Sequence, residues 1–260
     1  MTIGTWLATG ARASRRHIIG ILTCIAAIGV PAAAQAQVYS LSGGWSDASN
    51  PNGVWSYGPG LSHYAQPSTP NSFNSAAANG YWGSGSDFFS SPFMAKVTTN
   101  GSATGAYNDN DFLAGDVLVH SANSGVATAI TWTAPSAGSL VLTSSVWYAH
   151  SIVTRSDDIM ALLNNNVIGS ATVTNGVTRA NQLGLANGMF TVAAGDVLTF
   201  DFTKSAGQTF GSLAGISATI NFTPTTVAGV PEPATWATMI LGFGMIGGAV
   251  RQRRRQTALA

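Results

Sequence analysis

The chain has 260 residues, of which 8% are charged, and its formal net charge is +1. Seven of its eleven Lys and Arg residues lie within the first 16 or the last 10 positions, so the stretch from 37 to 228 holds nine Asp against four basic residues, a net charge of −5. This acidic stretch lacks the clustered cations that nucleic-acid binding requires, and no nucleic-acid partner is expected.

The N-terminal segment has the pattern of a secretory signal peptide. Three arginines precede an apolar stretch of about 13 residues, which leads to an A-x-A site at Ala34 and Ala36. We predict a signal peptide over 1–36, cleaved to leave Gln37 as the first mature residue. The Ser-Arg-Arg before the apolar stretch leaves both the general and the twin-arginine export routes open. The one cysteine, Cys24, is removed with the signal, so no disulfide or thiol nucleophile is expected afterwards.

Residues 37–222 are predicted to form an all-β ectodomain. Short stretches alternate between apolar and polar residues and are separated by Gly, Asn, Ser and Pro, as in 126–134, 197–203 and 216–222. Many short strands with such turns predict a two-sheet sandwich, of the jelly-roll type.

Two hairpins are expected within this domain. The stretches 126–134 and 139–148 are predicted to pair across a turn at 135–138. A second turn is predicted at Asn164, Asn165 and Asn166, because asparagine tolerates the left-handed backbone conformation that such a turn needs.

Three stretches of the ectodomain resemble a group of bacterial exported domains that look like carbohydrate-binding modules. They are NPNGVWSYG at 50–58, GDVLVH at 115–120 and WTAPSAG at 132–138. The resemblance implies a jelly roll that binds polysaccharide.

Four aromatic residues are candidates for contact with sugar rings: Trp45, Trp55, Tyr57 and Trp82. Flat rings stack on the apolar faces of sugars, and neighbouring Asn and Asp side chains can satisfy the hydroxyls. The alternative is that the same rings fill the core of the sandwich, since each aromatic side chain buries ~150–250 Å².

Two acidic stretches are candidates for calcium, which prefers several oxygen ligands. They contain Asp109 and Asp111 in one case and Asp157 and Asp158 in the other. Neither has the spacing of a dedicated calcium loop, so a solvated turn is the alternative, and no other cofactor is expected.

No catalytic residues are predicted. The ectodomain contains no Glu, its three histidines have no zinc-binding spacing, and Asp157 and Asp158 would point to opposite faces of a strand. We therefore expect a non-enzymatic protein. Two alternatives stay open: an Asp-dependent hydrolase acting on polysaccharide and a calcium-dependent adhesin.

The C-terminal tail follows a predicted linker over 223–230. An uncharged apolar run over 234–250 predicts one transmembrane helix, although it is short for the ~30 Å hydrocarbon core of a bilayer. The arginines after it predict a cytoplasmic stop-transfer cluster, since such residues favour the inner side: Arg251, Arg253, Arg254 and Arg255. The ectodomain would then lie outside the cytoplasm.

Residues 231–256 resemble the PEP-CTERM sorting signal of Gram-negative bacteria, in its PEPxxWA form. The resemblance rests on the Pro-Glu-Pro motif, the following Trp-Ala, the apolar helix and the arginine cluster; the motif residues are Pro231, Glu232, Pro233, Trp236 and Ala237. It implies an exosortase as processing partner and a transient inner-membrane anchor. The mature protein would then reach the cell surface or an extracellular matrix of exopolysaccharide, as in a biofilm.

Overall fold

The computed structural model describes residues 35–59, 62–65, 81–84, 92–101, 110–150, 153–225 and 233–257. The chain divides into a unit over 33–227 and a second unit that includes 228–260. The signal peptide up to Ala34, and the residues Asp109, Pro231 and Glu232, lie outside the described residues.

The first unit consists of β-strands, connected by loops and one short 3-10 helix at Arg179–Asn181. In the described part of the chain the strands are β1 Gln37–Ser40, β2 Trp55–Gly58, β3 Tyr81–Gly83, β4 Phe93–Lys96, β5 Val117–His120, β6 Thr128–Thr133, β7 Gly138–Tyr148, β8 Ser156–Leu163, β9 Asn166–Thr174, β10 Leu183–Gly184, β11 Gly188–Val192, β12 Val197–Lys204 and β13 Leu213–Pro224. The last strand extends two residues into the predicted linker.

The described strands form two antiparallel sheets. The large sheet has the order β10-β7-β13-β5-β4-β3, with β1 beside β13 and β11 beside β7, and the small sheet has the order β2-β6-β12-β8-β9. The pairs β5·β13, β6·β12, β7·β11 and β8·β9 are nested one inside the other along the chain. This nesting of antiparallel pairs across two sheets defines a jelly roll, which confirms the predicted fold class.

Alternation along the strands places the apolar residues between the sheets. On β12, Leu198, Phe200 and Phe202 are buried, while the residues between them are half-buried. On β13 the same pattern buries the alternate residues from Ile216 to Phe222. The main core lies between these two faces, where Trp132 contacts Phe222 with ring centroids 5.8 Å apart.

The hairpin predicted between 126–134 and 139–148 is wrong. β6 lies in the small sheet and pairs with β2 and β12, whereas β7 lies in the large sheet and pairs with β13 and β11. The turn between them therefore carries the chain from one sheet to the other. The alternation of apolar and polar residues predicts which side of a strand faces the core. It does not determine which other strand will pair with it.

The turn predicted at Asn164 and Asn165 is present, and it joins β8 to β9 in the small sheet. Both residues adopt the left-handed conformation, with φ of 50° and 66°. Asparagine is suited to this conformation because its short polar side chain tolerates it.

A second, smaller core covers part of the outer face of the large sheet. It includes Trp147, Leu118 and Phe112, and the guanidinium of Arg179 lies 5.7 Å from the centroid of the Trp147 ring. Gly215 permits this packing, because a Cβ atom there would lie 2.1 Å from the indole ring of Trp147.

Substituting Gly215 with alanine is expected to destabilise the sandwich by ~1–3 kcal/mol, the typical cost of overpacking a well-packed core. Thermal unfolding followed by circular dichroism measures this change. Ser217→Ala, at an exposed position on the same strand, is the matched control and should unfold like the wild type. Equal midpoints for Gly215→Ala and the wild type would contradict the close packing of Trp147 on this glycine.

The described part of the second unit is one helix, α1, over Pro233–Thr257. The predicted helix is present, and it continues through the arginines rather than stopping before them. Trp236, Ala237, Arg251, Arg254 and Arg255 are exposed on it. Among the described residues, no helix has both the length and the apolar character needed to span a membrane. The transmembrane prediction for 234–250 is therefore not confirmed: that uncharged run is short and includes four glycines.

Candidate functional site

A groove opens between the edge of the large sheet and the edge of the small sheet. It has a cavity volume of about 490 Å³, and its walls combine aliphatic, aromatic, amide and hydroxyl groups with three glycines: Val38, Tyr39, Ser40, Gly43, Gly44, Asn52, Gly53, Val54 and Trp55. We call this the N-terminal groove. None of these lining residues is charged.

A tight turn builds one wall of the N-terminal groove. The backbone amide of Asn52 donates to the carbonyl of Trp55 at 2.8 Å, and the amide of Trp55 donates back at 3.1 Å. Gly53 lies in this turn with φ of 57°, a conformation that glycine adopts at little cost. A Cβ atom on Gly53 would meet no atom within 4 Å, so space is open beside it.

The turn is held against the segment that follows β1. The side-chain amide Nδ2 of Asn52 donates to the carbonyl of Gly44 at 2.9 Å. Gly44 itself lies against the indole of Trp55, since a Cβ atom there would be 2.5 Å from ring atom Cδ1. The absence of a side chain at Gly44 thus allows the two walls to approach each other.

Tyr39 provides an aromatic side to the groove, and the sequence analysis did not identify it. Its ring packs on Trp132 and Phe222 with centroid separations of 5.8 and 6.4 Å, and its hydroxyl donates to the side chain of Gln37. The signal that could have found it is the position of β1 directly after the predicted signal cleavage site, where alternation places Tyr39 on the core side.

Three of the four predicted sugar-contacting aromatics are buried in the main core. Trp55, Tyr57 and Trp82 expose 2%, 0% and 5% of their surface. Trp82 is anchored further, because its Nε1 donates to the carbonyl of Ser46 at 2.9 Å. Burial favours the core role, which the sequence left as the alternative, and Trp55 lines the groove with only 2% of its surface exposed.

Trp45 is half-buried and has a local partner. Its Nε1 donates to Oδ1 of Asp47 at 2.6 Å, and its ring lies 4.4 Å from that of Tyr57. Trp45 does not line the N-terminal groove. The structure therefore does not bring the four aromatics together at one surface.

The predicted calcium residues are separated in the described structure. Asp157 is buried on β8, and its neighbour Asp158 lies on the opposite face, where it accepts a hydrogen bond from Oγ1 of Thr172 at 2.7 Å. Asp111 accepts the backbone amide of Arg179 at 2.6 Å. Within the described ranges, no three His, Cys, Asp or Glu side chains gather in a way that could hold a metal ion.

Asp157 belongs to a buried polar cluster between loops at one end of the sandwich. Its Oδ1 accepts a hydrogen bond from Oγ of Ser121 at 2.7 Å, and that same Oγ accepts the backbone amide of Ser212 at 3.0 Å. Oδ2 of Asp157 has no partner. Burial raises the pKa of Asp157 to about 7, against the weaker lowering effect of these hydrogen bonds.

The ion pair between Arg179 and Asp116 joins the short 3-10 helix to the turn before β5, over the second core. The guanidinium donates from Nε at 2.7 Å and from Nη2 at 3.0 Å to the two carboxylate oxygens. A bidentate contact of this kind is geometrically specific. Since Arg179 also covers Trp147, its role is to stabilise the loop packing.

The sandwich and the helical tail together define a β-sandwich protein with a C-terminal sorting segment. Residues 229–255 match the PEP-CTERM protein-sorting motif, which confirms the resemblance found from the sequence. This motif indicates an exported protein with a membrane-anchored intermediate. No curated protein matches the chain.

Among solved structures, the chain is similar to a GH26-CBM35 β-(1,4)-mannanase from Podospora anserina, with 15% identity, a TM-score of 0.29, and coverage of 52% of this chain and 26% of that one. It is also similar to a family 35 carbohydrate-binding module from Clostridium thermocellum, with 18% identity, a TM-score of 0.26, and coverage of 49% and 86%. A carbohydrate-binding module CBM36 in complex with calcium and xylotriose has 12% identity, a TM-score of 0.23, and coverage of 41% and 79%.

The chain thus spans about a quarter of the mannanase, and it spans 10% of a β-glucosidase from Paenibacillus barengoltzii. At these TM-scores, none of the similarities bears on the ligand or the activity of this chain. The jelly-roll assignment rests on the strand pairing described above.

Proposed function

We propose that the sandwich binds a polysaccharide outside the cell, at the N-terminal groove, and does so without chemical turnover or a bound cofactor. The observation that carries this proposal is the groove itself: an open, uncharged cleft with a tyrosine on one side and an amide and a hydroxyl within it. Ligand sites usually combine mostly apolar walls with a few placed polar groups.

The groove lining matches the chemistry of a neutral sugar. The apolar side chains Val38, Tyr39 and Val54 suit the C–H faces of a sugar ring, while Ser40 and Asn52 offer hydrogen-bonding groups to its hydroxyls. Since no charged residue lines the groove, a neutral glycan is favoured over an acidic one.

The proposal of binding without turnover is supported by the position of the aspartates. Most glycoside hydrolases need two carboxylates about 5–10 Å apart that flank the scissile bond. Asp157, whose pKa is raised into the range of a general acid, exposes 0% of its surface and points between the sheets. Asp158 lies on the other face of β8, which argues against the two carboxylates flanking one scissile bond.

Substituting Gly53 with asparagine is expected to lower the affinity for a neutral oligosaccharide at least tenfold. Asparagine tolerates the positive φ at this position, and its side chain would enter the open space of the groove. A glycan array with the protein purified in the form that its host exports identifies an oligosaccharide, and isothermal titration calorimetry then compares the variants.

Gly207→Asn is the matched control, because Gly207 also has a positive φ, of 84°, with no atom within 4 Å of its Cβ position, but does not line the groove. The control should bind like the wild type. A chelator should leave binding unchanged, and no shorter sugar should be released. Equal affinity of Gly53→Asn and the wild type would rule out the groove, and sugar release would favour the hydrolase.

We further propose that an exosortase-type enzyme processes the tail near Pro231–Pro233 and that the mature protein resides at the cell surface or in an exopolysaccharide matrix. The sorting motif at 229–255 supports this proposal. Each of the two prolines lacks an amide donor and favours an extended conformation for the residue before it, which suits entry into a protease-like active site.

A further inference from the structure

The outer face of the large sheet is divided into two halves. Over β3, β4 and β5 it is covered by the second core, in which Trp147, Leu118 and Phe112 are buried. The other half is formed by β1, the second half of β13, the first half of β7 and β11, and its outward side chains are exposed or half-buried. We call this half the open face.

The strand register places a continuous row of side chains across the middle of the open face. Val38 lies opposite Asn221, Asn221 opposite Val141, and Val141 opposite Met189. Directly paired residues of antiparallel strands project to the same side of a sheet. Val38, Val141 and Met189 expose 66%, 39% and 74% of their surface, so the apolar members of the row are accessible.

Hydroxyl-bearing residues flank this row. Two residues away from the row on one side, Thr219 of β13 is paired with Thr143 of β7. Two residues away on the other side, Thr223 of β13 is paired with Ser139 of β7. The four strand segments that form the face, 37–40, 138–145, 188–192 and 217–224, contain no Asp, Glu, Lys, Arg or His. With neighbouring strands ~4.8 Å apart, the four strands present a surface roughly 15 Å wide.

The chemistry of the open face selects its partner. An acidic polymer or an anionic lipid surface would find no cationic side chain there. A purely aliphatic partner would bury the threonine and serine hydroxyls without hydrogen bonds, which is costly. A surface of neutral sugar chains offers both C–H groups for the valines and methionine and hydroxyls for the threonines. The open face also adjoins the N-terminal groove, because Val38 and Ser40 contribute to both.

We propose that the open face docks on the surface of an insoluble neutral polysaccharide, alongside the single chain taken by the N-terminal groove. The proposal rests on the proposed function and specifies its ligand as a packed, uncharged glycan. The flanking hydroxyls and the central apolar row act together over this area, so one charge placed in the middle should disrupt the contact.

The test uses the protein in its exported form and measures its depletion from solution by microcrystalline cellulose and by chitin particles. Val141→Lys is expected to weaken depletion at least tenfold. Ser170→Lys is the matched control, since Ser170 is an exposed strand residue on the small sheet. Met189→Lys, at the more exposed end of the row, replaces Val141→Lys if that variant unfolds.

Each outcome bears on the proposal. Loss of depletion by the open-face variants, with unchanged binding of a soluble oligosaccharide, supports docking through this face. No depletion of the wild type by either particle, or equal depletion of Val141→Lys and the wild type, overturns it. A wild-type dimer that Val141→Lys dissociates, seen by sedimentation velocity, also overturns it, because the face would then contact a second copy. If the N-terminal groove is not the sugar-binding site, the Gly53→Asn variant will bind soluble sugar normally. This result is independent of the depletion by particles.

Discussion

Substituting Glu232 with alanine is expected to leave the C-terminal tail uncleaved in most of the exported protein, which then keeps residues up to Ala260. Glu232 is the one glutamate of the chain and lies between Pro231 and Pro233. A processing enzyme that recognises an extended Pro-Glu-Pro segment loses its charged contact in this variant. Such a contact to a charged group is worth ~1.5–3 kcal/mol, which corresponds to a decrease in cleavage of tenfold or more.

Intact-protein mass spectrometry of the cell-envelope and culture-medium fractions locates the mature C-terminus directly. Thr235→Ser is the matched control, because it changes an unspecified position of the motif immediately downstream. The wild type and this control should share one C-terminus near the Pro-Glu-Pro. If Glu232→Ala has that same C-terminus in the same yield, the tail is not processed through this motif.

Substituting Asp157 with asparagine is expected to abolish one component of the pH dependence of stability. Burial raises the pKa of Asp157 to about 7, whereas the carboxyl of the unfolded chain ionises near 3.8. Below pH ~4 the neutral, buried carboxyl makes its full contribution to the free energy of unfolding. This contribution is lost as the pH rises to about 7. At 1.36 kcal/mol per pKa unit, this loss is at most ~4 kcal/mol.

Asparagine resembles the protonated carboxyl and can accept the same hydrogen bond from Ser121, so the variant should be the more stable protein at pH 8 but not at pH 4. His120 and His150 act in the opposite sense, because burial lowers the pKa of each to about 4. Their stabilising contribution is lost as the pH falls from about 6.5 to about 4. The difference between variant and wild type therefore isolates Asp157.

Denaturant unfolding at a series of pH values from 4 to 8 measures this difference. Asp158→Asn is the matched control, as its side chain lies on the other face of β8 and bonds to Thr172. The control should show no comparable rise in relative stability with pH. A constant difference between Asp157→Asn and the wild type across this range would mean that Asp157 is ionised in the fold throughout.

Local patterns in the sequence were sufficient for much of the fold. Alternation predicted which residues of β12 and β13 face the core, because a strand projects successive side chains to opposite sides whatever its neighbours are. The asparagine turn between β8 and β9 was predicted for a similarly local reason, the tolerance of Asn164 and Asn165 for positive φ. The sorting segment was predicted from a short motif that is followed in order by an apolar run and a cluster of arginines.

Much less of the candidate site could be predicted from the sequence. Aromatic residues often contact sugars, yet the fold buries Trp55, Tyr57 and Trp82 in its core. Tyr39 was overlooked because the strand that carries it has only four residues, and alternation over so few residues is a weak signal. The raised pKa of Asp157 comes from its burial in the tertiary structure, against the lowering effect of hydrogen bonds from segments distant in the chain, those holding Ser121 and Ser212.

The sequence by itself determined the clearly alternating strands, such as β12 and β13, with their apolar faces, and the acidic and cysteine-free character of the sandwich. It also determined the sorting motif, which was predicted at 231–256 and matches at 229–255. Tertiary structure alone decided that β6 and β7 belong to different sheets, that β1 and the Asn52 turn enclose a groove, and that an uncharged face stays open beside it. The physical reason is that alternation and turn propensity act over a few residues. Strand pairing, by contrast, depends on contacts between segments far apart in the chain, which no local pattern encodes.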